Sequence, residues 1–196
     1  MIEIKVDTSG IDRMIQQLRA QARQVPFAIA KALTLTARDA RQDVIDKLPA
    51  IIDRPTPFTL RGIGYKPANK VNLSAEVFIR DVQAQYLAKL IRGGTEMPKK
   101  RALVEPATIR LNQYGNLPRA ALSRLRGRKD TFSANINGVG GIWKRQGSGV
   151  KLLVKFEQQR EVKKQFDFAA IVRASVAKRW PPHFERTLRD AMASAK

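Results

Sequence analysis

Cysteine is absent from this chain of 196 residues, and histidine occurs once, as His183. Without thiols the protein cannot form disulfide bonds, a thiolate nucleophile or a cysteine-ligated zinc or iron–sulfur centre. A single imidazole also excludes a metal site built from three histidines. These two counts agree with our prediction, which also rests on the carboxylate and glycine patterns below, that the protein holds no metal and no other cofactor.

Acidic residues are scarce as well. The chain has 17 Asp and Glu against 37 Lys and Arg, so its formal charge is +20. A field of this sign attracts polyanions and repels further copies of the chain. Nucleic acid, an anionic membrane surface and acidic proteins are therefore candidate partners on charge alone.

Long apolar runs and targeting signals are also missing from the sequence. No stretch approaches the roughly 20 apolar residues that a membrane-spanning helix needs. The first residues alternate between apolar and charged, and they lack the basic start and apolar stretch of a secretory signal. We therefore expect no membrane partner, and we expect synthesis in a cytoplasm that the protein leaves only as part of a particle.

The remaining composition is that of a folded chain. Hydrophobic residues make up 43% and charged residues 28%, and such proportions provide enough apolar surface to offset the entropy of ordering the chain. At this length, one domain with an elaborated insertion is the expected organisation.

Hydrophobic periodicity predicts a mixture of helices and strands in the first half of the chain. Prolines lack the amide hydrogen that a helix needs, so they mark the predicted breaks. Patterns of period 2 and 3.6 predict a strand over 2–7, a helix ending at Pro26 and a second, longer helix over 27–48. A loop over 49–57 follows. Beyond it the patterns predict two antiparallel strands over 58–65 and 71–79, and a short helix over 83–91 that ends at Gly93-Gly94.

The second half of the chain is basic and rich in glycine. Residues 99–129 carry nine basic side chains and one acidic side chain. Residues 135–149 hold five glycines, a composition typical of turns and flexible segments. We predict an extended or flexible arm here, crossed by a hairpin that pairs Ile142-Trp143 with 150–156.

These patterns together predict an α+β fold in which an antiparallel sheet packs against a long helix. The predicted organisation is an α+β core over 1–110 and a basic glycine-rich insertion or arm with its hairpin over 111–165. A helical segment over 166–196 then packs back on the core. This closing helix is predicted to break at Pro181-Pro182, because proline disfavours helical geometry.

Three carboxylates fall on one side of the longer helix: Asp39, Asp43 and Asp46. Closely spaced carboxylates can bind a divalent cation or share a proton. Basic residues are interleaved with them, however, so near-neighbour ion pairs on a solvated face explain the pattern without any chemistry. We interpret this cluster as structural.

His183 is a candidate general base, because imidazole suits proton transfer at neutral pH. It follows two prolines at the start of a predicted helix, and no serine or carboxylate motif surrounds it in the sequence. The glycine clusters near 93 and 140 match neither a Walker loop nor a dinucleotide-binding loop. We predict that the protein is not an enzyme and has no small-molecule substrate.

The candidate binding residues are basic. A basic run neutralises phosphates and gives sequence-independent, salt-sensitive binding to nucleic acid. It can equally dock against acidic faces of partner subunits, and the aromatic residues, at 7% of the chain, form no stacking motif for RNA. Both interpretations stay open for Arg119, Arg124, Arg126, Arg128, Lys129, Lys144, Arg145, Lys163 and Lys164.

Two short segments resemble tail-completion and head–tail joining proteins of tailed bacteriophages. They are Tyr86–Thr95, which begins with an aromatic residue and ends in Gly-Thr, and Ala102–Ala107, an apolar stretch that ends in Pro-Ala. Leu111–Arg119 is similar to a segment of prophage minor tail proteins, and the overall plan resembles the minor tail protein Z family. The long basic insertion over 111–164 departs from the commoner joining-protein pattern.

The resemblance implies an α+β core, several copies arranged in a ring around the tail axis, and no catalytic residues. It implies a place in the virion, in the tail or at the head–tail junction, with other phage tail or neck proteins as partners. Packaged DNA is a further candidate partner. The alternative interpretation is a sequence-independent nucleic-acid-binding protein.

Overall fold

The computed structural model describes residues 9–99 and 101–194. It confirms the mixed α+β fold, with a long N-terminal helix, antiparallel sheets and a C-terminal helix that packs against the first. The strand predicted over residues 2–7 lies outside the described residues.

Helices and strands are interspersed along the described chain. The helices are α1 (Ser9–Ile51), α2 (Pro57–Leu60), α3 (Asp81–Arg92), α4 (Ala121–Arg126) and α5 (Phe168–Ser194). The strands are β1 (Ile63–Lys66), β2 (Glu76–Ile79), β3 (Gly94–Glu96), β4 (Leu103–Pro106), β5 (Thr131–Ile136), β6 (Val139–Gln146), β7 (Gly149–Glu157) and β8 (Arg160–Val162). Within the described residues they form antiparallel sheets of order β1-β2, β3-β8 and β4-β7-β6-β5.

The chain divides into two compact units. Unit 1 comprises the chain up to Lys47, Arg61–Arg80 and the chain from Phe168 onward; unit 2 comprises Leu48–Leu60 and Asp81–Asp167. The boundary predicted at residue 110 falls inside unit 2. There β4 pairs with β7, so that Val104 lies opposite Phe156, and the two sides of that boundary share one sheet.

In unit 1, α1 is a single helix of 43 residues, so the predicted break at Pro26 is wrong. Proline removes one backbone hydrogen bond, the one to the carbonyl four residues earlier. That carbonyl belongs to Ala22, an exposed residue, so water can satisfy it. The buried apolar stripe that follows holds the helix in place, with Ala28, Ala32 and Val44 fully buried.

The predicted break at Pro181-Pro182 is also wrong, because both prolines lie inside α5. They are exposed, and so are Ala177 and Lys178, whose carbonyls lose their helical donors. His183 accordingly lies within the helix and not at its start. The opposite face of α5 packs on α1, where the Thr187 hydroxyl donates a hydrogen bond of 3.0 Å to the carbonyl of Ala28.

The β1–β2 hairpin completes unit 1 and confirms the predicted antiparallel pairing, although both strands are shorter than predicted. It packs against α1, since Arg41 Nε donates a 2.9 Å hydrogen bond to the carbonyl of Ile63. Gly64 lies beneath the ring of Phe78, and a Cβ there would come within 2.7 Å of Phe78 Cζ. Glycine at this position lets the aromatic ring cover the strand.

Unit 2 is built on the four-stranded sheet. Its core contains Leu125 from α4 together with Ile142, Leu153 and Val154 from the sheet. The predicted hairpin is observed, because Ile142 lies opposite Val154. The glycine-rich segment predicted to be a flexible arm is mostly strand, and a turn at Asn137-Gly138 joins β5 to β6 with positive φ at both residues, as a tight hairpin turn requires.

The short helix predicted over 83–91 is confirmed as α3, and it ends at Gly93, whose φ is 72°. Its buried face carries Gln83 and Leu87. The segment after β8 closes over the end of this helix, since the backbone amide of Phe166 donates a 3.0 Å hydrogen bond to the carbonyl of Leu90. The predicted loop over 49–57 shrinks to residues 52–56, between α1 and α2.

Candidate functional site

A cleft of about 540 Å³ in unit 2 gathers much of the positive charge predicted to bind a partner. It lies between α4, the strands β6 and β7, and the chain around Ile109. Its lining contains no Asp or Glu. We call it the basic cleft, after the six cationic side chains that line it: Arg110, Arg124, Arg128, Lys144, Arg145 and Lys151.

Helix α4 holds one wall of the basic cleft. Its Leu125 is buried in the core of unit 2, and the hydroxyl of Thr131 in β5 donates a hydrogen bond to the carbonyl of that residue. Arg124, the residue just before Leu125, is exposed, and its Nη2 donates to the carbonyl of Arg119 at 2.7 Å. Helix α4 is therefore held by Leu125 on its buried side, while the guanidinium group of Arg124 lines the cleft.

Strand β6 supplies the opposite wall. The guanidinium carbon of Arg145 lies 4.7 Å from the centre of the Phe132 ring, a distance suited to a cation–π contact. Arg145 Nη1 also donates a 3.1 Å hydrogen bond to the carbonyl of Lys129. Both contacts restrict this long side chain, so little further side-chain entropy is lost when it binds an anion.

Two lysines of the cleft lie directly opposite each other on paired strands, Lys144 in β6 and Lys151 in β7. Directly opposed residues on antiparallel strands share one face of the sheet, and like charges placed this way are destabilising. An anion bound between them would relieve that repulsion.

One carboxylate beside the cleft offsets part of this charge. Arg128 donates to both oxygens of Asp130, from Nε at 2.8 Å and from Nη2 at 2.6 Å, and Lys144 Nζ lies 3.9 Å away from it. The hydrogen bond from Arg128 lowers the pKa of Asp130, so this carboxylate is ionised at neutral pH. Across the part of the chain that the structure describes, no carboxylate lies within 4 Å of Arg110, Arg124, Arg145 or Lys151.

The predicted basic segment is only partly brought together. Four of its residues line the cleft: Arg124, Arg128, Lys144 and Arg145. Arg119 contributes its carbonyl to Arg124, whereas Arg126 and Lys129 are exposed outside the lining. Lys163 and Lys164 follow β8, away from the lining, and Lys164 Nζ is paired with Asp167 at 3.4 Å.

The sequence prediction missed Arg110 and Lys151. Arg110 belongs to the basic stretch over 99–129, which was a signal for it. Lys151 joins the cleft through the strand register that sets it opposite Lys144. Register depends on pairing between strands, which local sequence does not reveal.

The three carboxylates of α1 form a second candidate site, in unit 1, and each of them accepts hydrogen bonds from neighbouring side chains. Asp43 accepts hydrogen bonds from Arg179 Nη2 at 2.7 Å and from the Ser175 hydroxyl at 2.6 Å. Asp39 accepts one from His183 Nε2 at 2.9 Å, and Asp46 accepts one from Gln42 at 2.8 Å. The first two carboxylates thus clamp α5 to α1.

The electrostatics of this clamp keep both carboxylates ionised. The hydrogen bond from Arg179 lowers the pKa of Asp43 against a smaller opposing effect of burial. Burial raises the pKa of Asp39, but the hydrogen bonds from His183 and Arg38, together with the charges of these two residues, outweigh it, so that pKa is also lowered. Near-neighbour pairing on the helix, as predicted, holds for Arg38 and Asp39 at 3.1 Å, whereas the stronger partners come from α5.

These contacts leave the carboxylates occupied. Among the described residues, no three His, Cys, Asp or Glu side chains are arranged to hold a metal ion. The described helices also include none with the length and apolar character needed to cross a membrane. In comparisons with protein-family models, with curated proteins and with solved structures, nothing matches this chain.

Proposed function

We propose that this chain is a structural, non-catalytic protein of a tailed-phage particle, which completes the tail or joins the tail to the head. The support for the virion role is the resemblance of Tyr86–Thr95 and Ala102–Ala107 to tail-completion and joining proteins. The first segment spans most of α3 and the start of β3, and the second contains β4. Ring assembly with other tail or neck proteins is the mechanism that the resemblance implies.

Within this role, the basic cleft is the observation that supports contact with DNA. Lysine and arginine neutralise phosphates, release counterions and bind without regard to base sequence. Six such side chains converge here, and one nearby carboxylate, that of Asp130, offsets them. A cleft of this charge suits the sugar-phosphate backbone of packaged DNA.

Charge also bears on how copies assemble. At +20 per chain, a ring of identical subunits repels itself unless DNA or acidic neighbours neutralise the charge. Bound polyanion in the basic cleft removes part of this repulsion. Assembly is therefore coupled to the presence of DNA or of an acidic partner in this proposal.

The test is electron microscopy of particles from a phage or prophage that lacks the gene. We expect filled heads that accumulate apart from separate or defective tails. Complementation with the wild-type gene restores joined particles, and complementation with the triple variant Arg110→Glu, Arg124→Glu, Lys151→Glu does not. The matched control reverses three exposed charges outside the cleft, Arg101→Glu, Arg173→Glu and Arg189→Glu, and restores joining; normal infectious virions without the gene would refute the virion role.

A second candidate function is that of a free, sequence-independent nucleic-acid-binding protein. The Lys144–Lys151 pair and the absence of acidic lining residues support it equally. The two functions differ in what happens without the gene. Normal virions, together with tight and strongly salt-dependent binding of the isolated protein to duplex DNA, would favour the free binding protein.

A further inference from the structure

A second groove of unit 2, formed beside the buried face of α3, has a different chemistry from the basic cleft. It measures about 520 Å³, and we call it the α3 groove. Its lining residues from α3 recur at helical spacing. The residues that form it are Phe58, Val82, Gln85, Tyr86, Lys89, Leu90, Glu96, Lys99, Arg160 and Val162.

The floor of the α3 groove is apolar and open to solvent. Phe58 is 52% exposed, Val82 59% and Tyr86 40%. Large apolar side chains scattered singly are normal on a protein surface, but their grouping in one concave site marks an interaction surface. Helix α3 therefore has one face buried in unit 2, through Leu87, and a second apolar face that stays partly open to solvent.

Local hydrogen bonds hold this floor in place. The hydroxyl of Tyr86 donates to the hydroxyl of Thr59 at 3.0 Å, and the side-chain amide of Gln83 donates to the carbonyl of Phe58 at 3.1 Å. These bonds tie α2 to α3 and restrict the side chain of Tyr86. An aromatic side chain restricted in this way makes a good anchor, because little entropy is lost when it is covered.

The rim of the groove is cationic. It carries Lys89, Lys99 and Arg160 against one carboxylate, Glu96, which accepts from Lys89 at 2.6 Å and from Arg160 at 2.6 Å. No carboxylate of the described chain lies within 4 Å of Lys99. The site thus combines an apolar floor with a surplus of positive charge at its edge.

We propose that the α3 groove docks an apolar segment of a partner protein that carries acidic residues beside its apolar ones. Apolar side chains of the partner cover Phe58, Val82 and Tyr86, and a carboxylate beside them pairs with Lys99, the rim cation that Glu96 does not engage. This proposal is independent of the basic cleft and of the function assigned to it.

Charge argues against the other occupants. Nucleic acid brings a phosphate with each nucleotide, and Glu96 lies in the lining and already engages two of the three rim cations. The basic cleft, whose lining has no carboxylate, is the better site for phosphates. A second copy of the chain carries a further +20, so long-range repulsion opposes its approach to a cationic rim.

The experiment selects binders for the whole protein from a displayed library of random peptides about 16 residues long, roughly four helical turns. We expect enrichment of peptides that combine Asp or Glu with Leu, Ile, Phe or Trp. A fluorescent copy of the most enriched peptide should bind Val82→Glu and Phe58→Ala at least about tenfold more weakly than the wild-type protein, as loss of a central anchor does. Lys99→Glu should weaken it several-fold.

The matched controls make the same changes elsewhere. Val71 is 90% exposed and lies outside the groove, so Val71→Glu should leave the affinity unchanged, and Arg189→Glu controls for charge in the same way. Far-ultraviolet circular dichroism and thermal melting establish that each variant folds. Because Phe58 and Val82 are more than half exposed, both variants are expected to retain the wild-type spectrum.

Three outcomes would overturn the proposal. The first is that no peptide is enriched, or that the enriched peptides bind Val82→Glu as well as wild type. The second is that a labelled thymidine oligonucleotide binds and that Phe58→Ala abolishes this binding, which assigns the groove to nucleic acid. The third is that sedimentation shows the wild-type protein self-associating and Val82→Glu monomeric, which assigns the groove to a second copy.

Discussion

Adjacent glycines in β6 differ in what they tolerate. A Cβ on Gly141 would overlap the carbonyl oxygen of Val154 in the neighbouring strand, whereas a Cβ on Gly140 would meet nothing within 4 Å. The sheet has a register irregularity just after Gly141, between Ile142 and Trp143. Close approach of two backbones, and not flexibility, accounts for glycine at position 141.

We therefore expect Gly141→Ala to lower the free energy of unfolding by about 1–3 kcal/mol, the cost of inserting a methyl group into a packed site. Gly140→Ala should be nearly neutral. Urea denaturation followed by circular dichroism measures both. Equal stability of the two variants would contradict this account of the strand.

A pH-dependent contribution belongs to Asp43. Its carboxylate accepts from Arg179 and Ser175, and the hydrogen bond from Arg179 lowers its pKa below the ordinary value of 3.8. A carboxyl group whose pKa is lowered by folding stabilises the fold fully above its unfolded pKa. That stabilisation is lost as the pH falls through the lowered folded pKa.

We expect Asp43→Asn to lower the free energy of unfolding by about 1–2 kcal/mol at neutral pH, since Arg179 is partly exposed and solvent weakens the pair. Urea denaturation at neutral pH and near pH 3 should show this difference shrinking with acid. Asp53 pairs with its exposed neighbour Arg54, and with no other cation of the described chain. Asp53→Asn is the matched control and should leave the midpoint unchanged at both pH values.

At the scale of elements, tertiary packing decides the continuity of the two long helices. In α5 the prolines at 181 and 182 remove hydrogen bonds to exposed carbonyls, while the opposite face is fixed to α1 through Ser175, Arg179 and Thr187. Side-chain contacts between α5 and α1 thus offset the free energy lost where the two prolines break backbone hydrogen bonds on the exposed face of α5.

We expect Pro182→Ala to raise the free energy of unfolding. Alanine restores an amide donor and removes the clash with the preceding turn, and proline in a helix interior is about 3 kcal/mol less favourable than alanine. Greater freedom of the unfolded chain offsets part of that gain, so the net increase should be about 1–2 kcal/mol. An unchanged or lower urea midpoint would contradict continuous helical geometry at this position.

At the scale of the whole molecule, charge governs behaviour. The basic cleft predicts duplex DNA binding that weakens as salt is added. A plot of the logarithm of affinity against the logarithm of salt concentration should have a slope of roughly −4, because each neutralised phosphate contributes about −0.9 and about four cleft cations have no carboxylate beside them. Arg124→Gln should reduce the magnitude of the slope by about 1, and Arg189→Gln should not change it. Fluorescence anisotropy with a labelled duplex across a salt series measures both; identical slopes for the two variants would remove the cleft as the DNA site.

The same charge predicts the state of the isolated protein. At +20 per chain, electrostatic repulsion opposes self-association most strongly when salt is low and screening is weak. We expect a monomer at low salt in sedimentation velocity. A stable ring under those conditions, without DNA or an acidic partner, would contradict the role given to charge in assembly.

The candidate binding residues show where prediction from sequence reached its limit. Arg124, Arg128, Lys144 and Arg145 were identifiable as a basic run. Their meeting with Lys151 depends on the register between β6 and β7. The α3 groove lay outside the predicted site altogether, although Tyr86 and Leu90 in an apolar helical pattern were its signal.

The sequence by itself determined the α+β class, the β1–β2 and β6–β7 pairings, helix α3 and the strongly basic character of the chain. Period, turn residues and charge are local properties, so neighbours along the chain suffice to reveal them. Only the tertiary structure decided that α1 and α5 run through their prolines, that Asp39 and Asp43 bind residues of α5, and that a glycine-rich segment is sheet. Each of these depends on contacts between residues far apart in sequence, whose energy outweighs the local preference.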